Sequence, residues 1–156
     1  MTVADVSLMC AHISDIAKYR YLCAHEFTIP SGRRLDFLAL PLADSRPVIA
    51  AEIKVSRQDF LSDKKWQEYV PYCNLFFFAC PRGVVRIGDL PSGVGLVWAY
   101  PSGRMRVLVR PEFHKMSAGH ERDVNRRMLK MIINGKAFPS KPDFMVGSII
   151  DWEQEE

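Results

Sequence analysis

Three charged side chains in the apolar first half of this 156-residue chain have the types and spacing to do chemistry: Asp36, Glu52 and Lys54. Asp36 stands near the start of one apolar run, Leu35-Asp36-Phe37-Leu38-Ala39-Leu40, and Glu52-Ile53-Lys54 lies inside the next. In a β-strand, residues i and i+2 point to one face. Glu52 and Lys54 would then project together, with Ile53 turned into a core, and an adjacent extended segment can bring Asp36 beside Glu52. Two carboxylates and an ammonium on neighbouring strands make a divalent-metal site with a lysine at its edge, a set suited to metal-assisted phosphodiester hydrolysis. Burying these charges in a strand that is otherwise Val, Ile and Ala is costly unless they are paired or metal-bound. The plainer alternative is a buried Glu52–Lys54 ion pair at a strand end.

The elements that must position these residues follow from periodicity. Val3, Val6, Cys10, Ile13 and Ala17 recur at helical spacing, so residues 3–18 read as one amphipathic helix. Residues 26–29 read as a strand ending at the turn Pro30-Ser31-Gly32, and residues 34–40 as a second strand. Residues 48–55 form a third, apolar enough to be covered on both faces. Ser56 reads as an N-cap with Asp59 at N3, opening a helix to about residue 70, before Pro71. Residues 74–79 form a buried aromatic strand, so strand, helix and strand predict a parallel crossover. Residues 94–100 and 105–109 flank Pro101-Ser102-Gly103 as a hairpin. A last helix at 121–133 would turn Val124, Met128, Leu129, Ile132 and Ile133 to the core. The fold class is α/β, a mixed sheet flanked by helices. Residues 1–150 read as one domain and 151–156 as an acidic tail.

Asp36, fifteen residues, then Glu52-Ile53-Lys54 resembles the D…ExK signature of the PD-(D/E)XK nuclease superfamily, with its restriction-endonuclease-like fold. A longer pattern is more specific: Gly32-Arg33-Arg34-Leu35-Asp36, Glu52-Ile53-Lys54-Val55-Ser56, Asp59-Phe60, Asp63-Lys64-Lys65-Trp66 and Tyr69-Val70-Pro71-Tyr72-Cys73. Together these are similar to the MmcB-like family of bacterial DNA repair proteins, across roughly residues 20–110. The chain departs from the superfamily name in having Leu35, not Pro, before the first acid. Many relatives also carry a glutamate in the first helix, where this chain offers only Asp5 and Asp15.

The resemblance implies a metal-dependent DNA nuclease acting in repair. Asp36, Glu52 and Lys54 would be catalytic. Mg²⁺ (or Mn²⁺) would be held by Asp36, Glu52 and the Ile53 carbonyl, with Glu26 in place of the missing helix glutamate. Arg33, Arg34, Lys64, Lys65 and Tyr69 would face DNA, Lys65 and Tyr69 as i, i+4 neighbours on one helix. The competing reading is a catalytically dormant DNA-binding scaffold on the same fold. Rows of basic residues at Arg104, Arg106 and Arg110 and at Arg122, Arg126 and Lys130 read individually as solvated faces. The net charge of +3 does not by itself imply nucleic acid. Cys10, Cys23, Cys73 and Cys80 lack zinc-site spacing and read as buried free thiols in a cytoplasmic protein. His12, His25, His114 and His120 show no ligand spacing either, and Phe60 and Trp66 read as core. No segment is long and apolar enough for a membrane, and a homodimer is left open.

Overall fold

A computed structural model describes residues 1–140, apart from the side chains of Ser14 and Asp15; the expected acidic tail lies outside the described residues. Among the described residues, four α-helices, α1 (Val3–Cys10), α2 (Ser14–Lys18), α3 (Arg57–Ser62) and α4 (Ala118–Ile133), accompany seven strands. The strands are β1 (Tyr21–Thr28), β2 (Arg34–Pro41), β3 (Ile49–Ile53), β4 (Leu75–Pro81), β5 (Gly95–Ala99), β6 (Met105–Val109) and β7 (Ala137–Pro139). They form one mixed sheet in the order β6-β5-β4-β3-β2-β1-β7. β3, β4 and β5 run parallel, and the remaining neighbours are antiparallel. The expected crossover from β3 to β4 and the hairpin from β5 to β6 are both present.

Side-chain alternation along the strands divides the core into two layers. Ala51, Ile53, Phe77, Val97 and Phe37 pack under Val6, Cys10, Ile13 and Ile16 of the first two helices. Ala50, Leu38, Phe76, Phe78 and Leu96 pack on the other side with Phe60, Tyr69, Val124, Met128 and Met131. β4 is buried from Leu75 to Cys80, as a central strand covered on both faces should be. All four cysteines are free and buried.

Three expectations need correction. The helix at 3–18 is two pieces, α1 and α2, separated by a turn in which the His12 and Ile13 N–H groups donate to the Met9 and Cys10 carbonyls. The helix at 56–70 stops at Ser62 and gives way to two short 3₁₀ turns, Trp66–Glu68 and Val70–Tyr72, so Lys65 and Tyr69 do not share an α-helix. The break falls at Asp63, whose extended backbone (φ −74°, ψ 117°) ends α3 and whose carboxylate accepts from the Lys65 N–H at 2.7 Å. On α4 the buried face is Val124, Met128 and Met131, while Leu129, Ile132 and Ile133 are exposed.

Candidate metal and phosphodiester site

The site is built where β2 and β3 separate. Ladder pairing runs from Ala39↔Ile49 to Phe37↔Ala51, and its continuation sets Asp36 opposite Glu52. Beyond that point the carboxylates replace the ladder. Ile53 N–H donates to Asp36 Oδ2 at 2.8 Å, and Asp36 N–H to Glu52 Oε2 at 3.4 Å. Lys54 N–H instead donates to Ala79 O of β4 at 3.0 Å. Since backbone groups alternate sides along a strand, the Ile53 carbonyl faces the Asp36 side with its own N–H.

Backbone irregularity aims Asp36. His25 and Phe37 face the α1 layer, yet Phe27 and Leu35, two residues on, lie in the α4 layer. Both strands therefore change phase at Glu26 and Asp36, the positions left out of an otherwise continuous register. Glu26 absorbs the change with φ 52°, a left-handed conformation that is strained for a non-glycine residue. Behind Asp36, the Ser7 hydroxyl bonds His25 Nδ1 at 2.5 Å and lies 3.3 Å from the Asp36 carbonyl, fastening α1 to this point.

The electrostatics are those of two acids sharing a half-buried site. Burial pushes the Glu52 carboxyl up to about 8, the neighbouring Asp36 charge adds to this, and Lys54 only partly offsets it. Burial likewise raises Asp36, against the opposing pull of the Ile53 N–H and Lys54, and a side-chain hydrogen bond joins the two acids. Tyr69 is pushed up to about 12 by burial and by Glu52, Asp36 and Asp63. Lys54, only 5% exposed, bonds Asp63 Oδ2 at 2.7 Å and stands 3.8 Å from Asp59 and 4.0 Å from Glu52.

Asp36, Glu52, Lys54 and the Ile53 backbone are thus brought together. Glu26 is not: its carboxylate is well exposed and lies 3.9 Å from Arg34. Asp5, the other first-helix acid described, caps α1 through Thr2. Among the described residues, no group of three or more His, Cys, Asp or Glu side chains is disposed to hold a metal. Two carboxylates and a carbonyl still suit Mg²⁺, a hard cation that keeps several waters.

The residues expected to face DNA are split. Arg33 is in an ion pair with Glu68, whereas Arg34, Lys64 and Lys65 are exposed. Tyr69 is buried, and its hydroxyl donates to the Arg34 carbonyl at 2.9 Å, so it braces β2 from beneath. Asp63 and Asp59 as partners of Lys54 escaped the sequence reading. The available signal was the lysine itself, because a buried ammonium requires an anion beyond those committed to a metal. His25 is half-buried, with its ring against Phe37 and Phe138. Among the described residues, no helix is long and apolar enough to cross a membrane.

Comparison with known proteins gives three results. The chain is similar in fold to the SPO1766 protein of unknown function from Silicibacter pomeroyi, with a TM-score of 0.68 and 21% identity over 85% of each chain. That mixed α/β architecture is consistent with a restriction-endonuclease-like fold. No curated protein sequence matches. The family described as DNA repair protein MmcB-like matches residues 6–133, which contain every residue of the site. The chain belongs to the MmcB-like DNA repair protein family.

Proposed function

We propose that this chain is a metal-dependent deoxyribonuclease of the PD-(D/E)XK type, acting in DNA repair. The observation that carries the reading is the pair of half-buried carboxylates, Asp36 and Glu52, joined at a strand fork beside a buried lysine. Their raised affinity for protons means that the metal-free site holds excess negative charge in a poorly solvated place. Asp36, Glu52 and the Ile53 carbonyl would hold Mg²⁺ (or Mn²⁺), which when bound supplies Lewis-acid activation of phosphate and water. Lys54 would place its charge against the phosphate as negative charge builds in the transition state. Arg34, Lys64 and Lys65 would meet the DNA backbone, and Tyr69 would keep β2 in place beneath them.

One observation favours the dormant scaffold: the described residues bring only two carboxylates to the fork, and Glu26 points elsewhere. Substitution separates the readings. On the nuclease account, Asp36→Ala abolishes metal affinity and cleavage together. Lys54→Ala spares metal binding but slows cleavage about 10²-fold or more. DNA binding survives in both. The scaffold account expects no cleavage by the wild type and effects of these changes on stability alone.

A further inference from the structure

Lys54 belongs to the D…ExK triplet, but its ammonium is anchored outside it. The 2.7 Å contact to Asp63 is much shorter than the 4.0 Å to Glu52, and the Asp63 side chain is only 8% exposed. Asp63 is itself held. The backbone N–H groups of Lys65 and Trp66 bond its carboxylate, and Trp66 stacks on Phe76 and packs edge-on against Phe78 in the core. Burial pushes the Asp63 carboxyl up, but Lys54 and those two N–H groups outweigh burial and hold it below the usual range.

We infer that Asp63 is a positioning residue that keeps the Lys54 ammonium off Glu52, leaving the Glu52 carboxylate available to a cation at the Asp36–Glu52 fork. The inference rests on the metal site proposed above and adds a member that the D…ExK triplet lacks. A buried ammonium must have an anion. Without Asp63, the remaining partners are Asp59, whose side chain is half exposed, and Glu52, whose side chain is 12% exposed. The lysine stem has four rotatable bonds, enough to close 4.0 Å to a direct contact on Glu52. Lys54 would then act as a tethered cation competing with the metal for the same oxygens.

A thermodynamic cycle read by Mn²⁺ titration tests this without any need for turnover. Wild type, Asp63→Asn, Lys54→Met and the double variant are titrated by calorimetry, each after a melting curve confirms folding. Asp63→Asn should weaken Mn²⁺ binding about tenfold where Lys54 is present and less than twofold in the Lys54→Met background, a coupling typical of residues in one ion network. Asp63→Glu moves the charge by one methylene and serves if the Asn variant does not fold. It should weaken binding about threefold, again only with Lys54 present. Simple loss of negative charge would weaken Mn²⁺ equally in both backgrounds, and that result, or no effect in either, overturns the inference. Wild type that binds Mn²⁺ but cuts no DNA sinks the nuclease reading while the cycle still decides the role of Asp63. Wild type that binds no Mn²⁺ overturns both.

Discussion

Replacing Glu52 by glutamine should make the metal-free protein more stable while destroying its proposed site. The Glu52 carboxyl sits at about 8 in the fold against an ordinary 4.5, chiefly through burial and then through the Asp36 charge. A carboxyl raised on folding contributes fully below pH 4.5, and that contribution is lost as pH climbs through 8. At pH 8 a displacement of this size corresponds to roughly 4 kcal/mol of lost stability. Glutamine keeps the shape and removes the charge, but it must bury an amide fitted imperfectly to the Asp36 N–H, leaving a net gain of about 1–3 kcal/mol. In a chain of this size that raises Tm by about 3–10 °C. The assay is thermal melting in EDTA at pH 8 and at pH 4.5, with and without Mg²⁺. The gain should appear at pH 8 and reverse at pH 4.5, where the wild-type carboxyl is protonated as well and only the amide cost of about 1–3 kcal/mol is left. Added Mg²⁺ should stabilise the wild type and not the variant. A Glu52→Gln protein that melts at or below wild type at pH 8, or one that gains equally at both pH values, refutes the reasoning.

Two further outcomes follow from the same geometry. Metal binding must displace the proton held by Glu52, so apparent Mg²⁺ affinity should climb from pH 5 toward 8, by up to about tenfold per unit, and then level; calorimetry in buffers of different ionisation heat would show the released proton, and a flat profile would contradict it. Arg34→Ala should lower the salt slope of DNA binding by about one, and Arg33→Ala by less, because Arg33 already holds Glu68; equal slopes for both variants and wild type would return these arginines to the solvated surface.

β2 to β6, the β3–β4 crossover and the β5–β6 hairpin were legible in the sequence because apolar runs and turn residues act locally, whereas β1 begins at Tyr21, five residues before the strand expected at 26–29. Glu52 and Lys54 could be set on one face by period 2 alone, and Ile53 lies in the α1 layer as that period requires. What the sequence hid came from long-range constraints. Asp63 looks like an ordinary helix residue, four after Asp59, until Lys54 comes within 2.7 Å of it and two backbone N–H groups close on it. Ile132 and Ile133 look like core residues by type, but on α4 the sheet meets the stripe through Met128 and Met131. β7 is three residues long and has no pattern of its own; it exists because β1 offers an edge at Leu22, Cys23 and Ala24. Glu26 could be named as an acid near the site, but its positive φ, which turns both strands at that point, is a property of the paired ladder.

The central claim is that the Asp36–Glu52 fork cuts DNA with a bound metal, and its most direct test is cleavage by the purified wild-type protein. Duplex, single-stranded and branched DNAs, end-labelled, should be incubated with Mg²⁺, Mn²⁺ or EDTA, beside Asp36→Ala and Glu52→Ala proteins that melt as folded domains. The account predicts phosphodiester cleavage of at least one DNA by the wild type with either metal, none in EDTA and none by either variant. Tight DNA binding by the wild type with no cleavage under any metal, or cleavage that persists in both variants, would contradict it.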